Sequence, residues 1–516
     1  MNRNRTKNTL LMILTGLGSK LIELPLGFLT RTIFISTLGA EYLGINSVFT
    51  SLISMLSLAD LGIASAISYY LYKPVAENNI PQIKSYMEFY KKSYRLIGVT
   101  ILFFGLCLIP FMDKFINLNP NIEINIYLIF ILFLLNSVFS YLFFAYRRII
   151  ISVNQKGYTL NLVNTIFYII NSLTTIYILL NYKNYVLCLI VNGTILIVQN
   201  ICISILVGKV FPFINEKDFI PLDKEKKKII LVDVKSVAIN KLSAILFNST
   251  DNIIISVFIG TVFSGYNSNY LMIISSVLGI VSIVEASFVA GVGNITATST
   301  KEVKLLFFKK FDFINFWIKS FCTVCFFQLL NPFITLWIGE DYLFSQGIVI
   351  LICLNFLTQQ LLCTIYTFRE TMGLFRYGKY LQLIAGVANI FLSIILSKPL
   401  GVFGVFLATP ICFVSVFAIT FIKIDFIYGF EMSPIKHILK YFYYIFITVI
   451  SCSAVFFICL IFKELNWVTF IGQMAVCVVV PNLIIYLFFR KSQEFAYTKE
   501  KSLSILKSLK TRLSTT

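Results

Sequence analysis

The sequence predicts an all-α integral membrane protein, with about 14 transmembrane helices in two pseudo-symmetric six-helix lobes plus two extra C-terminal helices. Three observations predict it. The 516 residues are 58% hydrophobic and only 13% charged, with a mean hydropathy of +0.85, more apolar surface than a water-soluble domain hides. The apolar residues gather into runs of bilayer-spanning length separated by short polar stretches. The basic residues alternate between those stretches, dense in every second one and sparse in the others.

In order, the spans centre on residues 15–38, 45–70, 94–112, 124–146, 158–180, 184–207, 235–259, 266–293, 313–335, 345–367, 378–397, 401–422, 438–461 and 467–489. This divides the chain into an N-terminal lobe (1–208, helices 1–6), a basic cytoplasmic linker (209–234), a C-terminal lobe (235–424, helices 7–12), and a last segment (425–516) holding helices 13–14 and a basic tail. Of the 43 Lys and Arg residues, 35 fall on one side of this topology. They include Lys84, Arg147, Arg148, the run Lys224 to Lys228, Arg369 and Arg490. The positive-inside rule places that side, and with it both termini, in the cytoplasm, so the chain reads as a multi-pass membrane protein. The net charge of +19 therefore reads as topology and gives no reason to expect nucleic acid as a partner.

The first apolar run is too long for a cleavable signal and reads as helix one. The tail, with Lys499, Lys501, Lys507 and Lys510 among Leu and Ile, reads either as an amphipathic helix on the anionic inner leaflet or as a solvated tail. The outer loops are short, leaving no room for an extracytoplasmic catalytic domain. Eleven cysteines in so apolar a chain read as small buried hydrophobes, including the C-x-x-C of Cys322 and Cys325.

The stretch from Leu38 to Ile67, LGAEYLGINSVFTSLISMLSLADLGIASAI, holds a glycine-bounded turn and then an apolar run with a single carboxylate, Asp60. An ionisable group in a span is a functional-site hypothesis; the alternative is that Asp60 caps a neighbouring helix or reaches water at the cytoplasmic end. An internal repeat supports the two-lobe reading. A shift of 221 residues places Lys20 on Lys241, Ile33 on Ile254, Gly39 on Gly260, Gly44 on Gly265, Asn46 on Asn267 and Ser54 on Ser275. It maps helices one and two onto seven and eight, an even displacement, so the halves run parallel.

The long first helix, the LGAEYLG turn (Leu38 to Gly44) and the span ending SLADLGIASAI, set in 6+6+2 helices, resemble the bacterial oligosaccharide and polysaccharide flippases that handle O-antigen or capsule repeat units. These belong to the multidrug/oligosaccharidyl-lipid/polysaccharide exporter superfamily. The resemblance implies alternating access, a central cavity, and a cargo of undecaprenyl-diphosphate-linked oligosaccharide carried from the inner to the outer leaflet for surface polysaccharide assembly. Membrane lipids and other polysaccharide assembly proteins would be the partners.

Such a cargo calls for cations that donate to phosphate oxygens in a low-dielectric cavity. Four basic residues fall within spans: Lys20, Arg31, Lys241 and Lys319. Lys20 and Lys241 match in the repeat and would face each other across its axis, or else both snorkel to the interface. Glu23 stands three residues from Lys20, close enough to neutralise it, and Pro25 is a candidate bend. Asp251 falls at the depth of Arg31, as a partner for it. Asp60, Asp251, Glu285 and Glu23 are the candidate functional or coupling carboxylates, for protons or sodium ions.

No catalytic residue, metal site or cofactor is expected. The single histidine, His437, reads as part of a cytoplasmic loop, and no phosphate-binding G-x-x-x-x-G-K-[ST] occurs. Two other functions stay open at this point: a multidrug or cation exporter of the same superfamily, and a membrane glycan polymerase or ligase.

Overall fold

A computed structural model describes residues 2–57, 63–117, 124–216, 218–374 and 377–500. Among these residues the chain is helical with no strand, the expected all-α class. By its internal contacts it divides into two compact units, residues 1–272 and 273–516.

The first unit opens with α1 (Asn2–Leu56), which as one rod would be about 80 Å long at ~1.5 Å per residue, over twice the ~30 Å bilayer core. Its backbone leaves helical geometry at Gly39 (φ 82°, ψ −176°), a conformation confined to glycine, so α1 consists of two helices end to end, a long one over residues 2–38 and a shorter one over 40–56. Pro25 stays within regular helix. Then follow α2 (Ile63–Ala76), α3 (Ile80–Leu108), α4 (Ile126–Leu142), α5 (Arg148–Val153), α6 (Gly157–Tyr182), α7 (Tyr185–Val210), α8 (Lys224–Asn248), α9 (Thr250–Phe258) and α10 (Thr261–Thr298), which runs on into the second unit. Asparagines start three of these helices by accepting a bond from an unpaired N–H of the first turn: Asn79 from Gln82, Asn125 from Leu128 and Asn184 from Leu187.

The second unit continues with α11 (Lys301–Ile338), α12 (Gln346–Gln360), α13 (Cys363–Thr371), α14 (Lys379–Cys412), α15 (Ile419–Ile424), α16 (Ile435–Cys459) and α17 (Trp467–Phe489). Helix α14 is broken at Gly401 (φ 57°, ψ −138°) as α1 is at Gly39. Asn466 and Thr469 form a reciprocal capping box at the start of α17.

Ten stretches among the described residues are long and apolar enough to cross a membrane, and eleven if α4 and the bent segment Ala145–Val153 count as one. The breaks at Gly39 and Gly401 each divide a stretch in two, and α8 with α9 supplies one more. The expected 14 spans agree only roughly with this number, since the second of them (45–70) runs across residues 58–62, which lie outside the described residues, and the seventh (235–259) holds only a short apolar helix.

Apolar side chains fill both units and also coat their outsides. Ile45, Phe49, Ile101, Phe130 and Leu134 pack inside the first, while Phe308, Phe368, Phe426 and Phe430 cluster in the second. Leu21, Leu96, Ile461 and Val468 are each more than two-thirds exposed, an outward apolar surface suited to lipid.

Candidate functional site: charged groups inside the helical spans

A charge inside a lipid-spanning bundle must find a partner or cost several kcal/mol, so the partners of each charged side chain define what the interior can do. The most enclosed cation is Lys319, at mid-length of α11 and fully buried. Its ammonium lies 2.7 Å from the Glu285 carboxylate of α10 and donates to Gln360 Oε1 at the end of α12, 3.0 Å away. Glu285 keeps 20% side-chain exposure, so one end of the pair is open while the other is sealed. Two of the expected residues, a cation and a candidate coupling carboxylate, thus meet in one site.

In the first unit, Lys20 and Glu23 form an ion pair of 2.8 Å one turn apart on α1, with Lys20 42% exposed. This is the local neutralisation their spacing predicts. Further along α1, Arg31 donates from Nη2 to Ser268 Oγ (3.0 Å) and to the Ser268 carbonyl (3.3 Å), while its Nε is buried without a hydrogen-bond partner. Asp251 stands in the first turn of α9. Lys241 belongs to α8, but its side chain lies outside the described residues, as does Asp60 altogether.

Two arginines that the sequence reading placed in loops lie in helices, Arg148 half-buried and Arg369 buried. Arg148 opens α5, which continues α4 after a 46° bend and buries Ile149, Ile150, Ile151 and Val153. The apolar run directly after Arg147 and Arg148 was the available signal that the span does not end there. Arg148 Nη2 donates to Asn200 Oδ1 at 2.8 Å, and its Nε is buried without a hydrogen-bond partner. Arg369 of α13 is 6% exposed and pairs with the fully buried Asp425 (Nη1 to Oδ1, 3.2 Å), its guanidinium 3.9 Å from the Phe421 ring centre. Those partners are 56 residues apart, and no local pattern announces them.

His437 also departs from expectation: it begins α16, buried, stacked on Phe426 and 3.9 Å from the Asp312 carboxylate, which Lys440 also approaches (3.4 Å). All 11 cysteines are free, with Cys322 buried and Cys325 half-buried on α11. Among the described residues no three His, Cys, Asp or Glu side chains converge on one point.

No protein-family model matches the sequence, and no protein of curated function is similar to it in sequence. Solved structures do match. The lipid II flippase MurJ, in an inward closed conformation, superposes with a TM-score of 0.65 at 14% identity, covering 92% of this chain and 98% of the other. An inward-facing multidrug resistance MATE transporter of the MOP superfamily gives 0.58 at 14% identity, covering 80% and 98%. A MOP superfamily transporter from Pyrococcus furiosus Vc1 gives 0.54 at 12% identity, covering 81% and 96%. The chain therefore has the fold of the MOP-superfamily transporters, a fold it shares with a lipid flippase and with multidrug exporters, and the solved structures that it resembles are transporters. It is a multi-pass membrane protein.

Proposed function

We propose that the protein is a flippase that moves undecaprenyl-diphosphate-linked oligosaccharide repeat units from the cytoplasmic to the outer leaflet of a bacterial plasma membrane by alternating access, for assembly of a surface polysaccharide. Both termini are cytoplasmic in this reading. The observation that carries it is Arg31, a guanidinium within a span whose hydrogen-bond partner among the described residues is the neutral Ser268. An interior cation without a carboxylate beside it favours an anionic cargo, and a diphosphate supplies the charge and the acceptor oxygens. The likeness of the fold to that of the lipid II flippase supports a lipid-linked cargo.

In this assignment Arg31, Lys20 and Lys241 are the cations of the first unit available to the phosphates, and Lys319 is the cation of the second, available when its bond to Glu285 opens. Glu285, Glu23, Asp251 and Asp60 are the carboxylates available to a coupling proton or sodium ion. The MATE-like fold admits a second reading as an exporter of cationic drugs. Against it, Glu23 and Glu285, two carboxylates that would attract such a substrate, are held by lysines at 2.8 and 2.7 Å.

Reconstituted vesicles carrying undecaprenyl-diphosphate-linked glycan in the inner leaflet test the proposal, scored by the glycan reached by a lectin from outside. The wild type should expose the glycan, and Arg31→Gln should reduce the rate at equal protein content. Transport of a lipophilic cation with no movement of the glycan lipid would establish the exporter instead.

A further inference from the structure

Two cavities of the first unit meet at Arg148. One, of about 500 Å3, is walled by carboxamides: Asn136 of α4, Asn164 and Asn171 of α6, and Asn192 and Gln199 of α7. The other, of about 370 Å3, is walled by Tyr90, Tyr94 and Tyr141, whose rings stand in series at centroid separations of 4.5 and 5.5 Å. Arg148 and Leu196 line both. Each volume falls within the roughly 300–1,000 Å3 typical of small-ligand sites.

The polar walls are only partly engaged with one another. Gln199 donates to Asn164 Oδ1 (2.9 Å), Asn136 to the Leu189 carbonyl (3.0 Å), and Asn192 Oδ1 accepts from Thr175 (3.1 Å). Asn171 Oδ1 and Arg148 Nε are buried with no hydrogen-bond partner. Unmet polar atoms inside an apolar bundle are costly, and a ligand bearing the complementary groups recovers that cost. The charge is also one-sided. The one carboxylate among the described residues of these walls, Glu23, is bound to Lys20 at 2.8 Å, whereas Arg148 bonds the neutral Asn200.

We infer that this double cavity is a recognition site for an acidic sugar, with Arg148 holding the carboxylate of a uronic-acid-type pyranose, the carboxamides bonding its hydroxyls and the tyrosines flanking its ring. Each functional group has its counterpart. A carboxamide both donates and accepts, as a hydroxyl does, so an array of them reads a polyol without adding charge. A planar guanidinium fits a carboxylate with two parallel bonds. Aromatic faces pack against the apolar C–H faces of a pyranose. The inference rests on the flippase reading and deepens it: the site selects cargo by an acidic sugar, apart from the diphosphate assigned to Arg31.

Saturation-transfer NMR on the full-length protein in detergent, with free glucuronate, glucose and inorganic phosphate as separate probes, tests it. Glucuronate should bind more tightly than glucose by about tenfold, equivalent to ~1.4 kcal/mol, and phosphate should not displace it. Arg148→Gln should abolish that preference, and Arg148→Lys should retain part of it. Asn171→Asp, which sets a second negative charge in the cavity, should weaken glucuronate and leave glucose unchanged, a selective effect that misfolding does not produce. Equal binding of glucose and glucuronate, displacement by phosphate, or an unchanged preference in Arg148→Gln would overturn the inference. The vesicle assay separates this from the broader proposal. Arg148-dependent glucuronate binding without lipid movement refutes the flippase alone, and lipid movement without glucuronate binding refutes the sugar site alone.

Discussion

Gly44 and Gly265, set 221 residues apart and matched in the internal repeat, lie backbone against backbone: a Cβ built on Gly265 would stand 2.8 Å from the Gly44 amide nitrogen and 3.0 Å from the Ala40 carbonyl oxygen. Their repeat neighbours Gly39 and Gly260 both take positive φ, 82° and 150°. The first matched pair therefore shares a close contact and the second a positive φ that favours glycine. Side chains consolidate the crossing, with Asn252 donating to Ser51 Oγ and Asn267 to Asn252 Oδ1.

Gly265→Ala should accordingly destabilise the protein by roughly 1–3 kcal/mol, the range for overpacking a filled contact. Gly18→Ala is the control, because a Cβ there meets nothing within 4 Å in a helix and alanine is the better helix former by about 1 kcal/mol. Thermal melts of the two purified variants against wild type check this. Equal stability of the two would mean that the close approach is not needed.

Lys319 and Glu285 should behave as a unit. Removing either charge, as Lys319→Met or Glu285→Gln, strands its partner in the interior and should cost about 3–5 kcal/mol, while the double variant should recover most of that loss. Melting of the two single variants and the double gives the coupling, and vesicle transport by the double variant separates packing from function. A stable double variant that does not transport is the expected outcome; one that transports normally would make the pair structural.

Topology is checked by cysteine labelling in intact cells, using variants without the exposed Cys107 and Cys202. New cysteines at Asp113 and Glu340, both exposed, should react with an impermeant reagent from outside. Cysteines at the exposed Lys226 and Glu302 should react only after lysis. Labelling of Lys226 from outside would invert the assigned orientation.

The sequence by itself determined the class and most of the apolar spans. These follow from the bilayer, which demands about 20 apolar residues per crossing and is met by local composition without regard to what packs where. It likewise showed Lys20 beside Glu23, because one helical turn fixes that distance. Only the tertiary structure decided which charges are interior and with whom they pair. Arg148 was drawn inward by the bend after Leu142 and the buried isoleucines behind it, and Lys319 meets Glu285 and Gln360 through three helices. Arg369 finds Asp425 56 residues away. Such pairings depend on how helices cross and rotate against one another, and a hydropathy pattern records depth in the membrane without recording either.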